Sequence, residues 1–353
     1  AAGELKTKPT QHSVKDLLQQ GVQPDIIVCR TEHTLTESVR DKISLFCNID
    51  RASVIESIDA PTIYEVPFNM LREGLDIQVL KKLGISAKGE PDLEKWKSFL
   101  YRLKNPLTEV NIGLVGKYVE LKDAYKSISE AFIHAGAATQ CKVKIKWIHS
   151  EKLEDNPDCI QEELQGLNGI LVAPGFGSRG IEGKIMAVRY ARENKIPFLG
   201  ICLGMQCAVI EFARNVLGYK DAHSVEMSAS TTHPVIDIME EQKLIQNMGG
   251  TMRLGAYPCK LKENTKIYSA YQKENISERH RHRYEFNNAY LEAFEQAGMI
   301  ASGINPDTNL VEVVEIPSHP YFVGVQYHPE YRSTVVEPSP LFISFVKAAS
   351  RKE

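Results

Sequence analysis

Between an apolar run, Ile196-Pro197-Phe198-Leu199, and a helical pattern of Met205, Ala208, Val209 and Phe212, the chain reads Gly200-Ile201-Cys202-Leu203-Gly204-Met205-Gln206. A strand that reverses into a helix between two glycines presents the side chain at the turn to solvent, beside the positive end of the helix. Cys202 holds that position. The arrangement suits a nucleophile, and it requires a strand-to-helix crossover at the carboxyl end of a sheet.

A thiol is mostly protonated at neutral pH, and a helix N-terminus with a neighbouring imidazolium moves the balance toward the reactive thiolate. A base is therefore the next requirement. Far downstream stands Phe322-Val323-Gly324-Val325-Gln326-Tyr327-His328-Pro329-Glu330. In an extended chain, residues two apart share a face, so His328 and Glu330 are expected to point together, with Pro329 ending the strand. Cys202, His328 and Glu330 then supply nucleophile, base and orienting carboxylate. Cys47, Cys141 and Cys207 lack the glycine-flanked turn and read as small buried apolar residues.

From Val110 onward the pattern is strand (110–115), helix (125–134), strand (143–148), strand (169–173), helix (183–193), strand (198–201) and helix. Such alternation specifies an α/β fold with a doubly wound, mostly parallel sheet and ligands at the carboxyl ends of its strands. Upstream, 25–29 and 53–56 read as short strands, and 37–46 and 68–83 as helices. Residues 86–107 turn polar, with Gly89-Glu90-Pro91 and Asn105-Pro106, and read as a linker holding one short helix around Trp96. The 353 residues thus divide into domains at 1–85 and 108–353.

A net charge of −3 with dispersed basic residues argues against a general nucleic-acid surface. No run of about eighteen apolar residues and no leader pattern is present, so neither membrane insertion nor secretion is expected. The seven cysteines are odd in number and lack Cys-x-x-Cys spacing, which argues against a disulfide framework or a zinc site. The compartment expected is the cytoplasm.

Gly-Ile-Cys-Leu-Gly-Met-Gln with a distant Tyr-His-Pro-Glu resembles the class I glutamine amidotransferases. Four further segments, Lys6–Ser13, Val115–Tyr118, Gly249–Gly255 and Glu278–Tyr284, narrow the resemblance to the CTP synthase family. It implies a class I glutaminase domain preceded by part of a nucleotide-binding amidoligase domain. Members of the family carry a phosphate loop and magnesium carboxylates in that domain. No Gly-x-x-x-x-Gly-Lys-Ser/Thr loop occurs here, so its N-terminal part is expected to be absent from this chain.

Attack on a carboxamide builds charge on oxygen, which needs fixed N–H donors. Leu203 is one candidate. The other lies in Ala173-Pro174-Gly175-Phe176-Gly177, where Pro174 has no N–H and Gly175 is the expected donor. By resemblance, Glu226 and Arg281 hold the α-ammonium and α-carboxylate of glutamine, and Gln206 with the backbone of Leu203, Gly204 and Met205 holds the amide end. Without the family, the run Arg279-His280-Arg281-His282-Arg283 would read as a solvated strand face. Its two histidines lack the partners of a metal site, and no metal is expected in the chain's own residues.

The resemblance also assigns Lys6, Thr7, Lys8, Pro9, Thr10 and Gln11 to UTP, or to CTP as inhibitor, Lys42 to a further nucleotide contact, and Ile58, Asp59 and Ala60 to ATP. It implies ATP with Mg2+, GTP as activator acting near a lid at Gly249–Gly255, and a homotetramer built through the amidoligase domain. The rival readings are a class I glutaminase with another acceptor, a hydrolase on the same fold, and a non-catalytic assembly module. The Lys6–Gln11 segment argues against the first two and an intact Cys202, His328 and Glu330 against the third.

Overall fold

The structure, a computed structural model, describes residues 5–238 and 252–351. It comprises two compact units, residues 1–94 and 95–353.

In the first unit, α1 (Lys8–Gln19) has Pro9 in its first turn, where a missing N–H costs nothing. It is followed by β1 (Ile27–Thr31), α2 (Glu37–Cys47), β2 (Val54–Ile58), α3 (Val66–Arg72) and α4 (Leu75–Lys82). The hydroxyl of Thr36 caps α2 by accepting from the Val39 N–H. β1 and β2 pair in parallel, and Val14, Leu35, Ile43, Cys47 and Val54 form the core. The helical pattern over 68–83 is divided at Gly74, whose φ of 71° stops α3 and starts α4. Arg40 ties α2 to this region through Glu73, at 2.8 Å, and Glu56, at 3.5 Å.

In the second unit α5 (Glu94–Lys104) starts at the boundary, inside the stretch expected as linker. Then come β3 (Thr108–Gly116), α6 (Lys126–Thr139), β4 (Cys141–His149), α7 (Ser150–Asp155), α8 (Ile160–Leu164), β5 (Gly169–Val172), α9 (Ile181–Glu193), β6 (Phe198–Ile201) and α10 (Leu203–Asn215). Beyond these lie β7 (His223–Ser224), β8 (Pro234–Ile238), β9 (Arg253–Leu261), β10 (Asn275–His282), β11 (Tyr284–Phe286), β12 (Ile300–Ile304), β13 (Val311–Glu315) and β14 (Phe322–Val325). The α/β fold expected from the alternation is the one that forms. Its main sheet has the order β10-β9-β12-β13-β14-β6-β5-β3-β4. The run from β14 to β4 is parallel, and the strands from β10 to β13 extend it in antiparallel fashion.

Successive residues of the central strands feed two cores. Ile170, Val172, Phe198 and Phe322 face α9 and α10, while Leu171, Ala173, Leu199, Ile201 and Val323 face α6 and the helix Pro340–Ser350. That is the period-two division of a sheet covered on both sides, and each such aliphatic or aromatic side chain contributes about 1.5–3 kcal/mol on burial. Among the described residues no helix is long and apolar enough to cross a membrane.

Candidate active site

Cys202 sits between β6 and α10 with φ 53° and ψ −105°, a conformation that L residues adopt only where the surroundings enforce it. Two contacts enforce it. Its N–H donates to the Val325 carbonyl at 2.7 Å, and its carbonyl accepts from the Gln206 N–H at 3.2 Å. The flanking glycines are there for clearance. A Cβ on Gly200 would stand 2.7 Å from the Gly204 backbone, and one on Gly204 would stand 2.1 Å from the Val172 carbonyl oxygen. The sharp turn thus requires α10 to press directly on β5 and β6, with the helix dipole aimed at the sulfur. Cys202 is nonetheless 3% exposed, so the turn presents it to an enclosed pocket rather than to open solvent.

His328 follows β14, the strand paired with β6, so the two strand ends bring it to Cys202 across the sheet. Its Nδ1 meets Glu330 Oε1 at 2.8 Å. The expected pair therefore forms, but by a different route: Pro329–Arg332 is a 3₁₀ turn, so Glu330 reaches back through the turn rather than along a strand face. Nε2 has no nitrogen or oxygen partner among the described residues. Burial alone would lower the pKa of His328. The Cys202 sulfur, as hydrogen-bond partner and as charge, and then Glu330, overcome burial and push it from 6.5 to about 11. In Cys202→Ala the strongest raising influence is gone, so His328 should titrate at lower pH than in the wild type. NMR titration of its ring protons reads this, and an unchanged midpoint would contradict the coupling.

A pocket of about 170 Å³ opens on the sulfur, and among its walls are Gly175, Leu203, Gln206 and Glu226 from the expected set. Gln206 donates to the Tyr284 carbonyl at 3.0 Å and to Gln326 Oε1 at 3.2 Å. Glu226 Oε1 accepts from the Gly177 N–H at 3.4 Å. The Arg281 carbonyl lies 4.0 Å from Cys202 Sγ, and its guanidinium sits 5.8 Å from the Phe176 ring centre. Gly204 and Met205 do not line the pocket. Gly204 faces Val172 and the Met205 side chain lies in the core, so both offer only backbone.

β10 alternates strictly, with Arg279 and Arg281 exposed and Glu278, His280 and His282 buried. The solvated-face reading thus holds for one side only. His280 Nδ1 and His282 Nε2 bond to each other at 2.8 Å, and His282 lines the pocket. Arg253 bridges Glu285, at 3.1 Å, and Glu312, at 2.9 Å. Burial lowers His280 to about 3 and raises Glu285 to about 8 against the pull of Arg253. No sequence pattern pointed to this network. Gln326, whose Nε2 lies 3.6 Å from the Cys202 sulfur, was also missed; its only signal is standing two residues before His328.

The expected nucleotide set lies in the first unit. Thr7 precedes α1, whose first residues are Lys8, Pro9, Thr10 and Gln11, and Gln11 donates to the Thr7 hydroxyl at 3.0 Å. Lys6 and Lys8 are exposed, as is Lys42 on α2. Ile58 ends β2, ahead of Ala60, and Asp59 pairs with Arg30 at 3.4 Å. Among the described residues no hydrogen bond or ion pair joins these three groups. Of Gly249–Gly255, residues 249–251 lie outside the described residues, and Arg253 opens β9.

Residues 120–348 match the family model for glutamine amidotransferase class-I, and residues 1–85 match that for the CTP synthase N-terminus. The expectation that the N-terminal part of the amidoligase domain is absent is corrected to that extent. A CTP synthase of Cytophaga hutchinsonii is 65% identical over 99% of this chain and 65% of its own length. One of Bacteroides fragilis is 59% identical over 100% of this chain and 66% of its own. The chain thus spans about 65% of the length of these relatives. A Trypanosoma brucei CTPS glutaminase domain with bound acivicin is 41% identical, with a TM-score of 0.65, over 69% of this chain and 95% of that one.

Proposed function

Since the chain belongs to the CTP synthase family and carries a class I glutamine amidotransferase domain, we propose that Cys202, His328 and Glu330 hydrolyse glutamine to supply ammonia for the ATP-dependent amination of UTP to CTP. The observation that carries the reading is His328, held by Glu330 at 2.8 Å, at the end of the strand paired with the one that leads into Cys202.

The Cys202 sulfur attacks the glutamine side-chain carbonyl carbon, and the oxygen takes the electron pair between the N–H groups of Leu203 and Gly175. Collapse expels the amine, which takes the proton from His328 and leaves as ammonia. The thioester is then opened by water, whose proton passes to His328, and glutamate departs with the thiolate restored. Glu330 holds the ring in one orientation throughout. Glu226 and Arg281 bring opposite charges for the α-ammonium and α-carboxylate.

In the first unit, exposed Lys6 and Lys8 at the N-terminal end of a 12-residue helix suit the triphosphate of UTP or CTP. Lys42 and the end of β2 at Ile58–Ala60 are read as further nucleotide contacts, the latter to ATP. Among the described residues no group of three or more His, Cys, Asp or Glu is placed to hold a metal ion. GTP activation, a cytoplasmic setting and a homotetramer complete the reading by family.

Glutamate formation from glutamine by this chain is the direct test. Acivicin should compete with glutamine for the pocket beside Cys202. Folded protein that forms no glutamate overturns the glutaminase reading. Amination of UTP is to be measured on the full-length protein, and its failure there would leave the domain serving another acceptor.

A further inference from the structure

Two lysines lie behind the loop from Ala173 to Gly177. Lys184, in α9, is wholly buried, and its Nζ donates to the Ala173 carbonyl at 2.7 Å rather than to a carboxylate. Lys117, just past β3, is 6% exposed and donates to the Phe176 carbonyl. A Cβ on Gly175 would stand 3.4 Å from Lys117 Cε, 3.6 Å from Lys184 Nζ and 3.5 Å from Leu203 Cδ2. A methyl group on Gly175 would thus make ordinary van der Waals contact with two lysine side chains and with the residue that follows Cys202.

Resting on the glutaminase reading, we propose that Lys184 and Lys117 are positioning residues that lock the Ala173–Gly177 backbone, so that the Gly175 N–H stays aimed at the oxygen of the attacked carboxamide.

A peptide N–H turns over by opposite rotations about ψ of the residue before its plane and φ of the residue after it, and the flanking peptides shift a little to let it pass. Here the Ala173 carbonyl is tied to Lys184, the pyrrolidine ring fixes φ of Pro174, and the Phe176 carbonyl is tied to Lys117. The two charge-assisted bonds limit the shifts of the flanking backbone that would let the Pro174–Gly175 peptide turn. Pro174, which removes one possible donor, thus also stiffens the approach to the donor that remains.

A buried cation facing a carbonyl is costly, and an apolar side chain of similar length would be better for stability. Burial draws the pKa of Lys184 down to about 8, opposed by the Cys207 sulfur, helped by the charge of Lys117 and opposed again by Cys202. The expense is placed beside the loop where an oxyanion would form.

The test uses Lys184→Met and Lys117→Met in the full chain, with kcat and KM for glutamine, Tm, and the rate at which iodoacetamide alkylates Cys202, read by peptide mass. Alkylation displaces iodide at a saturated carbon and builds no oxyanion. Each variant should lose roughly ten- to a hundredfold in kcat, less than the ~10²–10³ of deleting a donor, with KM changed by no more than about threefold. The alkylation rate should hold within about twofold, and Lys117→Arg, which keeps a donor, should recover most of kcat. Wild-type kcat in both folded variants overturns the inference. So does alkylation that falls in step with kcat, since the lysines would then act on the sulfur. Should Lys184→Met fail to fold, Lys117→Met carries the same comparison. A wild-type protein that is alkylated at Cys202 yet hydrolyses no glutamine overturns the glutaminase reading, and this inference with it.

Discussion

Cys202→Ala is expected to lower glutamine hydrolysis on the order of 10⁶-fold, the scale on which a nucleophile working as a unit with its base is lost. Glutamine should still bind, because Glu226, Arg281 and Gln206 are untouched and the methyl group occupies less of the pocket than the thiol. Calorimetric affinity within about threefold of wild type is the expected companion result. The combination is diagnostic: chemistry lost, recognition kept. A variant retaining about a hundredth of wild-type turnover would exclude the thioester mechanism. Loss of binding together with turnover would point instead to a collapsed pocket, and an unchanged Tm would separate the two.

Gly204→Ala should be among the most damaging single methyl groups in the second unit. The added Cβ would lie 2.1 Å from the Val172 carbonyl oxygen and 3.0 Å from its carbon, both backbone atoms of a central strand. β5 is held by β3 on one side and β6 on the other, so it cannot yield. α10 must move instead, and its residues Leu203 to Ala213 are all buried. Overpacking of this kind costs about 3 kcal/mol or more, and the displaced helix takes Cys202 out of line with His328. A urea midpoint close to wild type would contradict the account. Gly166→Ala makes the comparison: its φ is +75° with nothing within 4 Å, so only conformational strain, about 1 kcal/mol, should appear.

Much of this site was legible in the chain because its parts are local. The run from Phe198 to Phe212 carries its own strand, turn and helix, and the glycines on either side of Cys202 announce a close approach before any neighbour is known. His328 and Glu330 stand two apart, so their meeting was foreseeable, though not the 3₁₀ turn that achieves it. Gly204 and Met205 were expected to offer only their backbone, and helical geometry turns the first onto β5 and the side chain of the second into the core. The alternating run in β10 was plain as period two, but which face would be covered depends on Arg253 on the neighbouring β9, Glu285 on β11 and Glu312 on β13.

Local order, then, was written in the residues themselves: where strands and helices fall, where the chain must reverse, and which cysteine stands at the reversal. What waited for the tertiary structure were the encounters between distant segments. Gln326 against the sulfur, Lys184 and Lys117 on the Ala173–Gly177 loop, and two histidines bonded at the pocket arise from the register of β14 on β6, the seating of α9 beneath β5 and the pairing of β10 with β9. Such contacts are set by packing across a sheet, where a side chain's partner is chosen by strand order and pleat, and neither leaves a mark on the spacing of residues along one segment.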